Sequence, residues 1–249
     1  MQIKRKNRIK KAVDVCMTVL LLLLTAYQVT GETLHEWFGI GMTVLLIVHH
    51  VLNRKWYSSL FKGRYTAYRA VTAAVNTLLL VSIALTALCG MAMSAHATPF
   101  LYGMLPVSFA RRFHLAMSYW SFVLMGLHLG LHVPAMTAGV KWNGRVKTAV
   151  AALFAAVAGV GIWLFVRAGI PDYIFFRTPF AMLDYEKAAP LVIAENLAML
   201  TSFAFLGAWI AYVIKTCGSG AENRRNKTFM AGTLLIGAIL IGATLVICA

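Results

Sequence analysis

Charge is what this chain has least of. Only 12% of its 249 residues are charged, and acids are the scarcest, 8 against 23 Lys and Arg. That is about half the charge density of an average soluble domain, and it excludes a large soluble catalytic domain. The four cysteines (Cys16, Cys89, Cys217 and Cys248) are scattered through or beside apolar runs, with no CxxC pair. This excludes a zinc knuckle, a redox dithiol and a CxxCH haem-attachment motif, so they read as small buried apolar side chains. A Gly-rich phosphate loop, HExxH, GxSxG and an adjacent nucleophile–base pair are all missing, which removes the common hydrolytic and nucleotide-binding chemistries.

What remains is apolar: 60% of residues belong to the AVILMFWYC set, and mean hydropathy is +0.75. A bilayer-spanning helix takes about 20 apolar residues. Runs of that length fall at 12–30, 35–52, 70–93, 113–134, 147–167, 190–214 and 228–248. The expected fold is therefore all-α, a polytopic transmembrane bundle of about seven spans. Residues 1–138 are expected to form a four-helix bundle from spans 1–4, and 139–249 an additional three-span membrane region. The basic start MQIKRKNRIKK resembles a signal-peptide n-region, but no small-residue cleavage site follows the first run, so it reads as a retained span.

Cytoplasmic loops accumulate Lys and Arg. Eighteen of the 23 basic residues lie in the N-terminus and in the loops 53–69, 135–147 and 215–227. This places the N-terminus inside the cell membrane and accounts for the +15 net charge without a nucleic acid. Trp37, Trp56, Tyr57 and Trp142 fall at expected interfaces and read as aromatic belt.

All seven histidines precede residue 133, and six sit on two spans: His35, His49 and His50 on span 2, His114, His128 and His132 on span 4. An intramembrane histidine is costly and by default functional. His35 to His49 and His114 to His128 are both 14 residues, four turns less about 40°, so each pair shares one helix face about 21 Å apart. Both spans run from outside to inside, which sets His35 opposite His114 near the outer surface and His49 opposite His128 near the inner one. Facing imidazoles supply the two axial ligands of a haem iron, so two b-type haems are expected. His132 lies 18 residues from His114 and His50 lies 15 from His35, and only the 14/14 choice is equal. His50 and His132 are left to bind inner-haem propionates or to face water, and His96 to a solvated outer loop. Gly39, Gly90, Gly126 and Gly130 would let a flat macrocycle approach or simply pack helices. Arg111 and Arg112 would pair with outer-haem propionates or anchor the interface. Glu195 reads as a residue near the outer start of its helix, with a proton-relay or quinone role as the alternative, and Asp14 lies at the inner end of span 1.

These motifs carry a family resemblance. His35-Glu36-Trp37 with Gly39, then His49 ahead of Leu52-Asn53 and Trp56, resemble segments of the flavinylation-associated cytochromes. So do Arg111-Arg112, His114, Ser118, Trp120 and His128-Leu129-Gly130-Leu131-His132, and later Phe180 with Asp184-Tyr185-Glu186. These are small di-haem b-type membrane proteins similar in design to cytochrome b and formate dehydrogenase gamma subunits. The resemblance spans roughly residues 11–215. It implies haem ligation by His35, His49, His114 and His128, and electron transfer across a prokaryotic membrane to extracytosolic proteins carrying covalent FMN. Pro134 departs from the pattern, where an aromatic residue is expected, and should end its helix early. The run 228–248 lies beyond the matched part. The donor is expected to be a quinol, such as menaquinol, or a cytoplasmic-side protein. The alternative functions are a quinol-oxidising subunit with its own quinone site, supported only by Glu195 or His96, and a His-lined transition-metal transporter.

Overall fold

The computed structural model describes residues 2–60, 62–63, 66–141 and 143–218. The run 228–248 and its expected seventh span lie outside the described residues. Among the described residues the chain is helix and turn, with no strand. Its elements are α1 (Gln2–Thr25), α2 (Tyr27–Leu52), the short α3 (Lys55–Leu60), α4 (Ala67–Met93), a 3-10 turn (Pro99–Leu101), α5 (Val107–Thr137), α6 (Gly144–Arg167), the short α7 (Ile170–Ile174) and α8 (Ala189–Gly218).

The six expected runs inside the described residues fall on six long helices, the first of them, 12–30, crossing the break at Ala26 from α1 into the start of α2. Four of these, α2, α4, α6 and α8, are long and apolar enough to cross a membrane by length and composition. The other two are long but more polar: α1 carries Arg8, Lys10, Lys11 and Asp14, and α5 carries Arg111, Arg112 and three histidines. Polarity is distributed as a bilayer demands. The α4 stripe Leu78, Val81, Leu85 and Leu88 is exposed, which costs little against hydrocarbon. Ser82 and Ser121 are buried and share a 3.0 Å hydroxyl hydrogen bond.

Gly31 turns the chain. Its φ of 68° and ψ of 177° break the helical path inside α2, a backbone region that favours glycine. Around it α1 and α2 fold back as an antiparallel hairpin: Leu20 Cδ1 lies beside Gly41, the Asp14 carboxylate meets His49, and the Lys10 ammonium meets Asn53. These pairs close up in sequence on Gly31, so the polar bonds clamp the open end of the hairpin far from the turn.

α5 does not stop at Pro134 as expected. The proline lies inside the helix, which runs on to Thr137. Its missing N–H and its ring affect the carbonyl of Gly130, one turn back. Near the end of a 31-residue helix that loss is tolerated.

Contacts group the described residues into two compact units. The first comprises the chain up to residue 64, Leu80–Ser121 and Asp172–Asn196; the second comprises Tyr65–Leu79, Phe122–Pro171 and the described residues from Leu197 on. In the second unit, small residues bring backbones together: Gly126 and Gly130 of α5, and Gly161 of α6, all face α8. The Ser202 hydroxyl donates 2.7 Å to the Ala158 carbonyl. Close approach of this kind is how helices associate where lipid removes the hydrophobic drive.

Candidate haem-ligating histidine site

In the first unit, the beginnings of α2 and α5 and the end of α4 meet. One clasp holds them. The Glu36 carboxylate accepts from the Ser94 hydroxyl at 2.7 Å and from the backbone N–H groups of Ala95, His96 and Ala97 at 3.1, 2.8 and 2.9 Å. A carboxylate with several backbone donors forms strong charge-assisted bonds. The carboxylate of α2 is thereby fixed to the loop leaving α4.

Beside this clasp the structure brings together two of the expected ligands. The imidazole centroids of His35 and His114 are 6.0 Å apart with planes at 73°. Tyr27 meets the His35 ring edge-on at 5.0 Å. His35 Nδ1 is buried with no hydrogen-bond partner of good geometry among the described residues, and the ring also faces the Leu24 backbone.

His114 is oriented by α4. Its Nδ1 lies 2.9 Å from the Thr86 carbonyl oxygen, an acceptor, so Nδ1 carries the proton and Nε2 the lone pair. Gly90 stands one turn after Thr86 on the same helix face, and a Cβ there would come within 3.0 Å of His114 Cε1 and 3.1 Å of Nδ1. The missing side chain opens the groove through which the ring reaches the carbonyl. Gly90→Ala is therefore expected to push the ring off Thr86 and destabilise the chain by about 1 kcal/mol or more. Gly41→Ala, whose Cβ would sit 3.8 Å from Leu20 Cδ1, is the control. A thermal midpoint for Gly90→Ala equal to that of the control would remove this role.

The other two expected ligands lie in different units, each with an oxygen partner on Nδ1. His49, in the first unit, sits 2.8 Å from Asp14 Oδ1, and the Asn53 amide nitrogen lies 3.4 Å from its Nε2. His128, in the second unit, sits 2.8 Å from Asn76 Oδ1. A histidine that binds metal through one nitrogen almost always gives the other N–H to an oxygen. His114, His49 and His128 share that arrangement, with a carbonyl, a carboxylate and an amide as acceptors.

The remaining residues fall as follows. His50 turns to the Tyr57 hydroxyl at 2.7 Å. His132 stacks edge-on against His128, centroids 4.7 Å apart. Arg111 is exposed, and an Arg112 nitrogen lies 3.4 Å from the Phe176 carbonyl oxygen. Gly39, one turn beyond His35, has open space where a Cβ would point, whereas Gly130 is filled by the α8 backbone at Ala204. Glu195 is bound by Lys187 at 2.9 Å, near the start of α8. His96 is exposed, as expected of a loop residue, but its ring joins Glu32 and Glu36, with one ligand atom of each within 4.8 Å of the others.

Sequence reasoning did not find the orienting groups. Asn76 carried a signal, an amide inside an apolar run, and Asp14 was visible as an acid at a span end. The Thr86 carbonyl carried none, because a backbone atom leaves no mark on the residue type. Comparisons with protein-family models, curated proteins and solved structures return no match.

Proposed function

We propose that the chain is a di-haem b-type membrane cytochrome that carries electrons across a prokaryotic cell membrane, N-terminus inside. The observation that carries this reading is the His35–His114 pair. The two rings stand 6.0 Å apart with planes at 73°, so His35 and His114 would be the residues to hold one haem iron. The buried His35 Nδ1 and the open space where a Gly39 Cβ would point leave polar capacity and room on the His35 helix.

A bound haem would supply a one-electron iron couple tuned by its ligands and their hydrogen bonds. The chain's part is to hold those ligands. Thr86 fixes the tautomer and direction of His114, Gly90 admits the ring, and Glu36 ties the His35 turn to the end of α4. Arg111 supplies an exposed cation near the same end, suited to a propionate. The second haem is carried by the sequence alone, in the equal 14-residue spacing of His35–His49 and His114–His128; within its own unit each of His49 and His128 has an oxygen on Nδ1, from Asp14 and Asn76.

The partners follow from the resemblance: a quinol or cytoplasmic-side donor and an extracytosolic acceptor carrying FMN. A separate quinol-oxidising site is less well supported, since Glu195 is engaged by Lys187. A transporter reading requires its metal ligands gathered in one tetrahedral cluster, whereas the 14-residue spacing sets the paired histidines of each helix about 21 Å apart.

The test is a dithionite-reduced minus air-oxidised spectrum of the purified chain, with pyridine haemochrome quantification. Two haem b per chain is the expected result. None, after expression with ample haem, would overturn the reading, and one would leave a single pair standing.

A further inference from the structure

At the end of the α1–α2 hairpin opposite Gly31 the first unit holds a cavity of about 510 Å³, lined by Asn7, Lys10, Asn53, Arg54, Lys55 and Trp56 among others. Its size lies within the roughly 300–1,000 Å³ range of small-molecule sites. Three of these side chains are cations and none of the lining residues is an acid. The Lys10 ammonium donates 2.7 Å to the neutral Asn53 Oδ1, which holds it in place without cancelling its charge. The nearby acid of α1, Asp14, is taken by His49. Arg54 and Lys55 are presented by the tight turn from α2 into α3, where the Trp56 N–H bonds the Asn53 carbonyl at 2.8 Å.

Every polar side chain around this cavity can donate a hydrogen bond: ammonium, guanidinium, amide and indole N–H. Three like charges on one cavity repel each other until an anion sits among them. The cavity lies at the end of a helix long and apolar enough to cross a membrane, and Trp56 is half-buried there, as an aromatic at headgroup depth would be. Basic pockets at the ends of membrane helices suit lipid head groups.

We propose that this cavity is a seat for the phosphate of an anionic phospholipid. Lys10, Arg54 and Lys55 supply the charge, Asn7 a further donor, Asn53 holds Lys10 in place, and Trp56 packs along the glycerol region. The proposal rests on the membrane placement of the hairpin and not on haem.

The experiment uses the full chain, delipidated in detergent, titrated separately with phosphatidylglycerol, phosphatidylcholine and inorganic phosphate, with bound ligand counted by native mass spectrometry. Phosphatidylglycerol is expected to bind in preference to phosphatidylcholine. The double variant Arg54→Gln/Lys55→Gln is expected to bind it about thirtyfold more weakly, at about 1 kcal/mol per basic residue near the surface. Arg145→Gln/Lys147→Gln, which removes the same charge elsewhere, is expected to bind as the unaltered chain does. Equal binding of the two lipids by the unaltered chain would overturn the proposal without reference to any variant. So would equal weakening by both double variants. Displacement of the lipid by inorganic phosphate at equal concentration would assign the cavity to a soluble phosphate and overturn the lipid assignment.

Discussion

Chains with His114 replaced by alanine are expected to lose one of two haem equivalents, and chains with His35 replaced by alanine to lose the same one. The double variant should lose no more than either single variant. Two ligands of one iron form a unit, so their effects do not add. The His114 ring stands 6.0 Å from His35 and is held by the Thr86 carbonyl at 2.9 Å, so removing it takes away the proposed ligand that this carbonyl orients. His49→Ala and His128→Ala should each remove the other equivalent. Asn76→Ala deletes an orienting oxygen 2.8 Å from His128 and should weaken that haem about 10–100-fold without abolishing it. Pyridine haemochrome quantification on each purified variant decides. Two haems retained in His114→Ala would sink the pairing.

The largest effect on folding is expected at the glycines that face α8. A Cβ at Gly130 would overlap the Ala204 carbonyl, and one at Gly161 would overlap the Ala198 carbonyl and the Ser202 hydroxyl. Both obstacles include backbone, which cannot swing aside as a side-chain tip can. Gly130→Val and Gly161→Val should therefore each cost on the order of 3 kcal/mol or more and sharply reduce the yield of folded chain in detergent. Gly39→Ala meets open space and should leave the thermal midpoint within about 0.5 kcal/mol of the original. If all three behave alike, the close approach of α8 is not what these glycines serve.

The effects differ in kind. Gly130 and Gly39 both follow from sequence as small residues on histidine-bearing helices, and nothing in residue type separates them. Only the neighbour does: α8 fills one and no described residue fills the other. Pro134 is similar. Read locally it ends a helix, yet α5 continues to Thr137, because one lost hydrogen bond near the end of a long helix is a small part of its total.

By itself the sequence determined the helical class, the positions of six long helices among the described residues, and the two faces on which histidines recur. Those depend on hydropathy and on 3.6-residue periodicity, both properties of neighbours along the chain. Tertiary structure decided which groups meet across elements. It set His35 against His114, turned His114 onto the Thr86 carbonyl through the gap at Gly90, gave Glu36 to the amides of Ala95, His96 and Ala97, and gathered Lys10, Arg54 and Lys55 around one cavity. The Thr86 carbonyl and those amides belong to the backbone that every residue shares, so residue identity cannot reveal where they point. Only the folded path of the chain can.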